Sequence, residues 1–150
     1  MKKYIYLAFG VLLVGTLVKA SNQDKPEPKT RTLTVKLNYK GAGTVDEKHK
    51  IFVFVFDSPD FVQGGSFPVA AEAATAKDAT VSFPSLSTSP VYVATAYDPS
   101  GSYDGQSGPP PSGSSMGLYS KAPGKPEPIE IEAGKTVTID VVFDDTAKMP

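Results

Sequence analysis

Four oxygen-bearing side chains alternate along one short segment of the chain, and they are the first candidates for chemistry. In chain order they are Asp98, Ser100, Ser102 and Asp104. A hard cation such as Ca²⁺ takes about six to eight oxygen ligands, and alternate side chains on a turning loop can supply several of them. Tyr103 stands where an EF-hand has its glycine, and only two of the four side chains are carboxylates. The segment is therefore compatible with a calcium site. A plain surface turn, which is built from Asp, Ser and Gly, is the preferred interpretation, so we predict no cofactor, with calcium as the alternative.

The loop that holds these residues extends over 98–117 and is rich in Gly, Ser and Pro. Pro109–Pro111 favour polyproline II, a conformation that aromatic-lined grooves recognise. Aromatic rings frame the loop and could stack on sugar rings, and long loops often carry binding sites. The candidate ligand-binding residues are Tyr97, Tyr103, Gln106 and Tyr119. The alternative is a loop without a ligand, with Tyr97 and Tyr119 in the hydrophobic core.

His49 is the only histidine, so it decides whether serine-hydrolase chemistry is available. A Ser–His–Asp triad would need His49 as its base, yet no G-x-S-x-G motif provides a nucleophilic serine. His49 follows Glu47 and Lys48 at the start of a predicted strand, which is typical of a surface side chain. We therefore predict that the protein is not an enzyme. The alternative is a small secreted hydrolase that uses His49 or the loop carboxylates.

The first twenty residues have the pattern of a signal peptide. Lys2 and Lys3 precede an uncharged run over 4–18, and Ala20 ends the segment just before a polar stretch. We predict a signal peptide at 1–20, and therefore a periplasmic or extracellular protein. The run is short for a membrane span of about 20 residues, and the alternative is an uncleaved N-terminal anchor. A membrane partner is expected only in that case.

Charge and composition exclude several classes of partner. Residues 1–20 hold three of the 15 basic residues and none of the 16 acidic ones, so their removal changes the net charge from −1 to −4. Nucleic acids and anionic lipids require clustered Lys and Arg, so neither is an expected partner. The absence of cysteine rules out disulfides, thiolate metal sites and a lipid-modified N-terminal cysteine.

The elements that must position the candidate residues are predicted to be β-strands. Apolar and polar side chains alternate with period 2 in several short segments separated by turn residues. The predicted strands are 33–39, 51–56, 67–71, 80–83, 91–97, a short one at 118–119, and a hairpin of 129–132 and 137–143 that turns at Ala133–Gly134. Residues 70–77 could alternatively form a helical turn, because Ala is the best helix former. We predict an all-β fold, an antiparallel β-sandwich of about seven strands over 32–144, after a polar Pro-containing linker at 21–31 and before a tail at 145–150.

The strand at 51–56 is apolar on both faces and therefore needs cover on both sides. We expect Phe52, Phe54 and Phe56 to lie in the core. The alternative is that Ile51, Val53 and Val55 fill the core and the Phe face is a surface for a dimer or another partner.

Two segments resemble the transthyretin-like β-sandwiches, which include carboxypeptidase regulatory-like and Cna-B-like domains and are more broadly immunoglobulin-like. The residues that carry the first match are Val81, Phe83, Leu86, Tyr92, Val93 and Ala96. The second match is the predicted closing hairpin, 129–140. Ser89-Pro90 departs from the pattern, which has glycine there. The resemblance implies a non-catalytic accessory or adhesive module of the bacterial envelope whose partner is an envelope protein or a glycan.

Overall fold

Alternation of apolar side chains gives seven β-strands in the computed structural model, which describes residues 29–150. The strands are β1 (Arg31–Tyr39), β2 (Ile51–Phe56), β3 (Ala70–Ala74), β4 (Asp78–Leu86), β5 (Tyr92–Tyr97), β6 (Ser115–Leu118) and β7 (Thr136–Phe143). A short 3-10 helix, Pro59–Gln63, follows β2. No helix within 29–150 is long and apolar enough to cross a bilayer. The predicted signal peptide and most of the predicted linker lie outside the described residues.

The strands form two sheets, which confirms the predicted all-β sandwich. One sheet has the order β4-β1-β7 and the other β3-β2-β5-β6. All pairs are antiparallel except β1 and β7, which run parallel with Thr32 opposite Thr136 and Tyr39 opposite Phe143. The inner faces of both sheets supply a common hydrophobic core. Its fully buried side chains include Leu33, Val35, Ile51, Val53, Val55, Val91, Val93, Ile131 and Val141.

The predicted closing hairpin is wrong. Residues 129–132 and 137–143 do not pair with each other; β7 pairs with β1, and Ile129 forms an isolated antiparallel bridge with Val91 next to the other sheet. Arg31 contacts the segment 129–132, because its Nε donates to the carbonyl oxygen of Ile131 at 2.8 Å. Both isoleucines are buried, so alternation correctly identifies their inward side chains. It contains no information about which strand lies beside them.

The boundaries around β3 and β4 also differ from the prediction. The strand expected at 67–71 lies at Ala70–Ala74, where a helical turn was the alternative. The next strand begins at Asp78 and continues past Pro84 to Leu86, rather than ending before the proline. Proline has no backbone N–H group to donate to a neighbouring strand. Because β4 is an edge strand of its sheet, Pro84 is tolerated there.

The strand registers place the connecting segments at two opposite ends of the sandwich. One end, which we call the amino pole, contains residues 29–31, 57–69, 87–91 and 119–135. The other end, the loop pole, contains 40–50, 75–77, 98–114 and 144–150. The segment around His49 and the long loop after β5 therefore meet at the loop pole.

β2 is covered on both faces, as its sequence requires. Ile51, Val53 and Val55 face the core between the sheets, as in the alternative prediction. The three phenylalanines face outward, yet each is at most 8% exposed. They form a second apolar cluster with Ala94 and Ala96, against which Phe61, Tyr92, Tyr103, Met116 and Leu118 pack. The Phe face is therefore covered by side chains of this chain, and the long loop supplies one of them.

Candidate functional site

The long loop begins at a carboxylate that organises its first turn. Asp98 is 4% exposed and accepts hydrogen bonds from the backbone N–H groups of Ser100, Ser102 and Tyr103 at 2.8–3.0 Å. The hydroxyls of Ser100 and Ser102 donate to the same carboxylate at 2.7 and 3.2 Å. Burial alone would raise the pKa of Asp98, but these hydrogen bonds outweigh it and hold the pKa below its ordinary value.

Asp104 organises the following turn and not the first one. Its carboxylate accepts from the backbone N–H groups of Gln106 and Ser107, both at 2.8 Å, and from the Ser107 hydroxyl at 2.5 Å. The hydroxyl and then the two amides lower the pKa of Asp104 to about 2. The four predicted oxygen ligands therefore divide between two turns. Within the described part of the chain, no three His, Cys, Asp or Glu side chains are grouped so that they could hold a metal ion.

Tyr103 lies between these two turns and packs over the Phe face. Its ring meets that of Phe52 edge to face at 5.0 Å between centroids and that of Phe54 at 6.4 Å. Its hydroxyl donates to the carbonyl oxygen of Gly108 at 2.8 Å, which closes the loop on itself. Burial, and then the charge of Asp104, raise the pKa of Tyr103. Tyr103 is half-buried at the loop pole.

Gly105 allows the loop to approach the sheet this closely. Its φ is +78°, and a Cβ atom there would lie 2.5 and 2.6 Å from two carbons of the Phe52 ring. We expect Gly105→Ala to lower the free energy of unfolding by about 2 kcal/mol, from the left-handed backbone and the collision together. Urea denaturation measures this loss.

The matched control is Gly108→Ala in the same loop. Gly108 also has a positive φ, +89°, but a Cβ atom there would have no neighbour within 4 Å. We expect it to cost only about 1 kcal/mol, the strain of the backbone alone. Equal losses in the two variants would contradict the packing of the loop against Phe52.

Two of the other three predicted ligand-binding residues, Tyr97 and Tyr119, do not share a surface with Tyr103. Tyr97 is buried against the core and donates to the carbonyl oxygen of Thr44 at 2.8 Å. Tyr119 packs against the same core at the amino pole, at the opposite end of the sandwich. Gln106 lies exposed in the Asp104 turn. Tyr103 lines a depression.

That depression lies at the loop pole, between the loop and the segment that precedes β2. It has a volume of about 680 Å³ and is open to solvent. Its lining residues are Glu47, Lys48, Lys50, Phe52, Ala73, Gly101, Ser102, Tyr103 and Asp104. The lining thus combines two lysines, two acidic residues and two hydroxyl-bearing residues, and it has two aromatic rings, those of Phe52 and Tyr103. The depression can offer both hydrogen-bond donors and hydrogen-bond acceptors to a ligand.

His49 lies beside the depression and is held by an aspartate. Its Nδ1 is 2.9 Å from Oδ1 of Asp46. The backbone N–H of His49 and then its ring hold the pKa of Asp46 below the ordinary range. The nearby hydroxyls of Ser100 and Ser102 are bound to Asp98 and to each other. In residues 29–150 no serine hydroxyl is hydrogen-bonded to His49.

Sequence reasoning missed the lysines of the depression. Lys48 and Lys50 lie on either side of His49, immediately before β2. The pairing of Ile51 with Tyr97 places the start of β2 beside the end of β5, and therefore these lysines beside the loop. The register of that one strand pair would have been enough to find them.

The segment after β7, predicted to be a polar tail, is bound to β6. Met116 N–H donates to the Ala147 carbonyl, and Met149 N–H to that of Ser114, both at 2.8 Å. Asp145 anchors the segment: its carboxylate accepts from the hydroxyls of Tyr39 and Ser115, both at 2.6 Å. It also accepts from the N–H of Ala42 at 2.8 Å and from Lys148 Nζ at 3.3 Å.

These contacts shift the pKa values of Asp145 and Tyr39. The hydroxyl of Ser115, then that of Tyr39, hold the pKa of Asp145 well below its usual range. Burial, and then the hydrogen bond to Asp145, raise the pKa of Tyr39 to about 12. The Asp145 carboxylate therefore stabilises the loop pole, because it links β1, β6 and the segment after β7.

Comparison of the chain with protein-family models, with curated proteins and with solved structures finds no match.

Proposed function

We propose that this protein is an exported, non-enzymatic binding module that takes a neutral oligosaccharide in the depression at the loop pole. The observation that carries the proposal is that the half-buried Tyr103 lines a depression that also contains Lys48, Lys50, Glu47 and Asp104. Sugar rings combine apolar faces with hydroxyls, and each hydroxyl both donates and accepts. An aromatic wall with donors and acceptors beside it is complementary to such a ligand.

The charges of the depression favour a neutral sugar over an acidic one. Its two lysines are balanced by two carboxylates, so an anionic ligand gains no net attraction. The rigidity of the wall favours binding as well, because Tyr103 is fixed by Phe52 and by the Gly108 carbonyl. A ligand therefore does not have to order that ring on binding.

Two features of the sequence support an exported module of this kind. The N-terminal pattern predicts delivery to the periplasm or the cell exterior, where glycans are available. The resemblance to transthyretin-like sandwiches implies an accessory or adhesive role with no catalytic residues. A glycan of the bacterial envelope is the partner that fits both.

A glycan array tests the proposal, followed by calorimetric titration of the strongest neutral ligand with the full chain. We expect Lys48→Ala and Lys50→Ala each to weaken binding by about tenfold, the loss of one hydrogen bond from a charged donor. Lys36→Ala is the matched control, because Lys36 is exposed on β1 in the other sheet. It should leave the affinity unchanged.

Two results would overturn the proposal. One is an array on which the protein binds no glycan, or only acidic ones. The other is equal binding by the Lys36 and the Lys48 variants. Cleavage of a bound oligosaccharide, detected as new reducing ends and abolished by His49→Ala, would establish the hydrolase instead.

A further inference from the structure

The amino pole exposes an apolar segment that nothing in the described chain covers. Phe67 is 88% exposed, and Val62 and Val69 are each 47% exposed. All three belong to residues 62–69, which contain the end of the 3-10 helix and the segment that joins this helix to β3. Among the described residues, the other large apolar side chain with comparable exposure is Val142, at 62%, and it lies near the loop pole.

The chain enters the sandwich beside this segment. Residues 29–31 lie at the amino pole, where Nη1 of Arg31 donates to the carbonyl oxygen of Ser87 at 3.2 Å. Ser87 and Val69 line the same cleft, about 280 Å³ in volume, between the edge strands β4 and β3. The apolar segment and the start of the folded chain are therefore neighbours.

The sequence upstream of that point carries a segment suited to a membrane. Residues 4–18 contain no charged side chain and follow Lys2 and Lys3, a pattern of a signal peptide or of an anchor. An anchor engages a bilayer permanently, and a signal peptide does so until it is removed. Residues 21–30 separate it from the sandwich, and ten residues span at most about 33 Å. While the two are joined, the amino pole is held within that distance of the bilayer.

Charge determines which kind of bilayer fits. The basic side chains of the amino pole are Lys29, Arg31, Lys121, Lys125 and Lys135, and the acidic ones are Asp57, Asp60, Glu127, Glu130 and Glu132. The two sets balance, so an anionic surface gains no net attraction. Binding must come from apolar side chains that enter the interface, led by Phe67.

We propose that residues 62–69 form a membrane-docking segment, which inserts Phe67, with Val62 and Val69, into the surface of a zwitterionic phospholipid bilayer. The amino pole then faces the membrane. The depression at the loop pole faces away from it, toward ligands in the surrounding space. This docking depends on the exposed segment and not on the proposed glycan site.

The absence of cysteine allows a direct test with single labels on the full chain. Gln63→Cys places an environment-sensitive fluorophore between Val62 and Phe67 at an exposed position, and Ser112→Cys places one at the loop pole. Vesicles of phosphatidylcholine are then added. We expect emission to rise several-fold at position 63, with quenching by spin-labelled lipid, and to stay constant at position 112.

Phe67→Ser in the Gln63→Cys background should abolish the rise, because the leading side chain is lost. Val142→Ser, the matched control, removes another exposed apolar group at the other end and should preserve the rise. Equal responses at positions 63 and 112, no response at either, or a rise unaffected by Phe67→Ser would overturn the proposal. A rise that depends on protein concentration without lipid would also overturn it, in favour of a second copy of the chain. So would stronger binding to vesicles that contain phosphatidylglycerol.

Discussion

Replacing Asp145 with alanine is expected to lower the free energy of unfolding by about 2–3 kcal/mol. The carboxylate accepts the hydroxyl protons of Tyr39 and Ser115, and Ser115 is completely buried. Removal of the acceptor leaves those hydroxyls without their partner, and it frees the segment that Lys148 and Ala147 hold against β6. For a domain of this size the loss corresponds to a fall in Tm of about 10 °C. Calorimetry of the full chain measures it.

Asp144→Ala is the matched control for this variant. The Asp144 carboxylate accepts only from the backbone and hydroxyl of Thr146, two residues away. Its loss should change Tm by about 2 °C or less, as expected for an exposed local turn. Equal changes in Tm for the two substitutions would show that the contacts of Asp145 do not stabilise the loop pole.

Ionisation of Asp145 should also contribute to the pH dependence of the stability of the fold. Its pKa is lower in the folded than in the unfolded chain, so the folded state favours the ionised form. The stabilisation is complete above the unfolded pKa of about 4 and is lost progressively as the pH falls below it. The difference in Tm between the wild type and Asp145→Ala should therefore shrink in acid. A constant difference down to pH 2 would contradict this assignment.

Tyr39 should produce the opposite dependence in alkali. Its pKa is raised to about 12 in the folded chain, above the unfolded value of about 10, so the folded state favours the neutral phenol. This stabilisation is complete below about pH 10 and is lost as the pH rises toward 12. Tyr39→Phe should be less stable than the wild type at neutral pH. Its stability should also fall less than that of the wild type as the pH rises toward 12, because it lacks the ionisable phenol.

Tyr103→Ala is expected to have the second large effect, a loss of about 2–3 kcal/mol. The ring covers Phe52 and Phe54, and without it the outer face of the four-stranded sheet becomes accessible to solvent. Dyes that fluoresce on apolar surfaces should bind the variant and not the wild type under native conditions. The same substitution should abolish glycan binding, since it removes the wall of the depression.

Tyr103→Phe separates the ring from its hydroxyl. It loses only the hydrogen bond to Gly108, so we expect a cost of about 1 kcal/mol and no dye binding. If Tyr103→Ala were as stable as Tyr103→Phe, the loop would not act as a cover for the Phe face.

Alternation along the sequence predicts well which side chains of a strand face the core, and it predicts poorly which strand pairs with which. Ile129 and Ile131 are buried as predicted, yet they lie next to Val91 instead of the last strand. A period of two specifies which side chains face inward, whereas pairing depends on long-range packing of whole strands. The same limit explains why a hairpin was predicted where β7 instead runs parallel to β1.

The candidate site shows a related limit. The sequence pointed to the loop after β5 and to Tyr103, but it grouped Tyr103 with Tyr97 and Tyr119 because all three flank the loop. Their separation follows from strand direction: Tyr97 ends β5 with its ring toward the core, and Tyr119 follows β6 at the other pole. Contacts between segments distant in sequence, such as Lys48 and Gly101, become predictable only once a register is known.

The parallel pairing of β1 and β7 also determines how the molecule responds to pulling. The chain enters β1 at the amino pole and leaves β7 at the loop pole, so tension applied through these two ends acts along the β1–β7 ladder. The hydrogen bonds of that ladder, which joins eight residues of each strand from Thr32–Thr136 to Tyr39–Phe143, then carry the load together. In an antiparallel hairpin pulled at its open end they would break one after another. A chain pulled at these two ends is therefore loaded in shear, the direction in which a β-ladder resists force best.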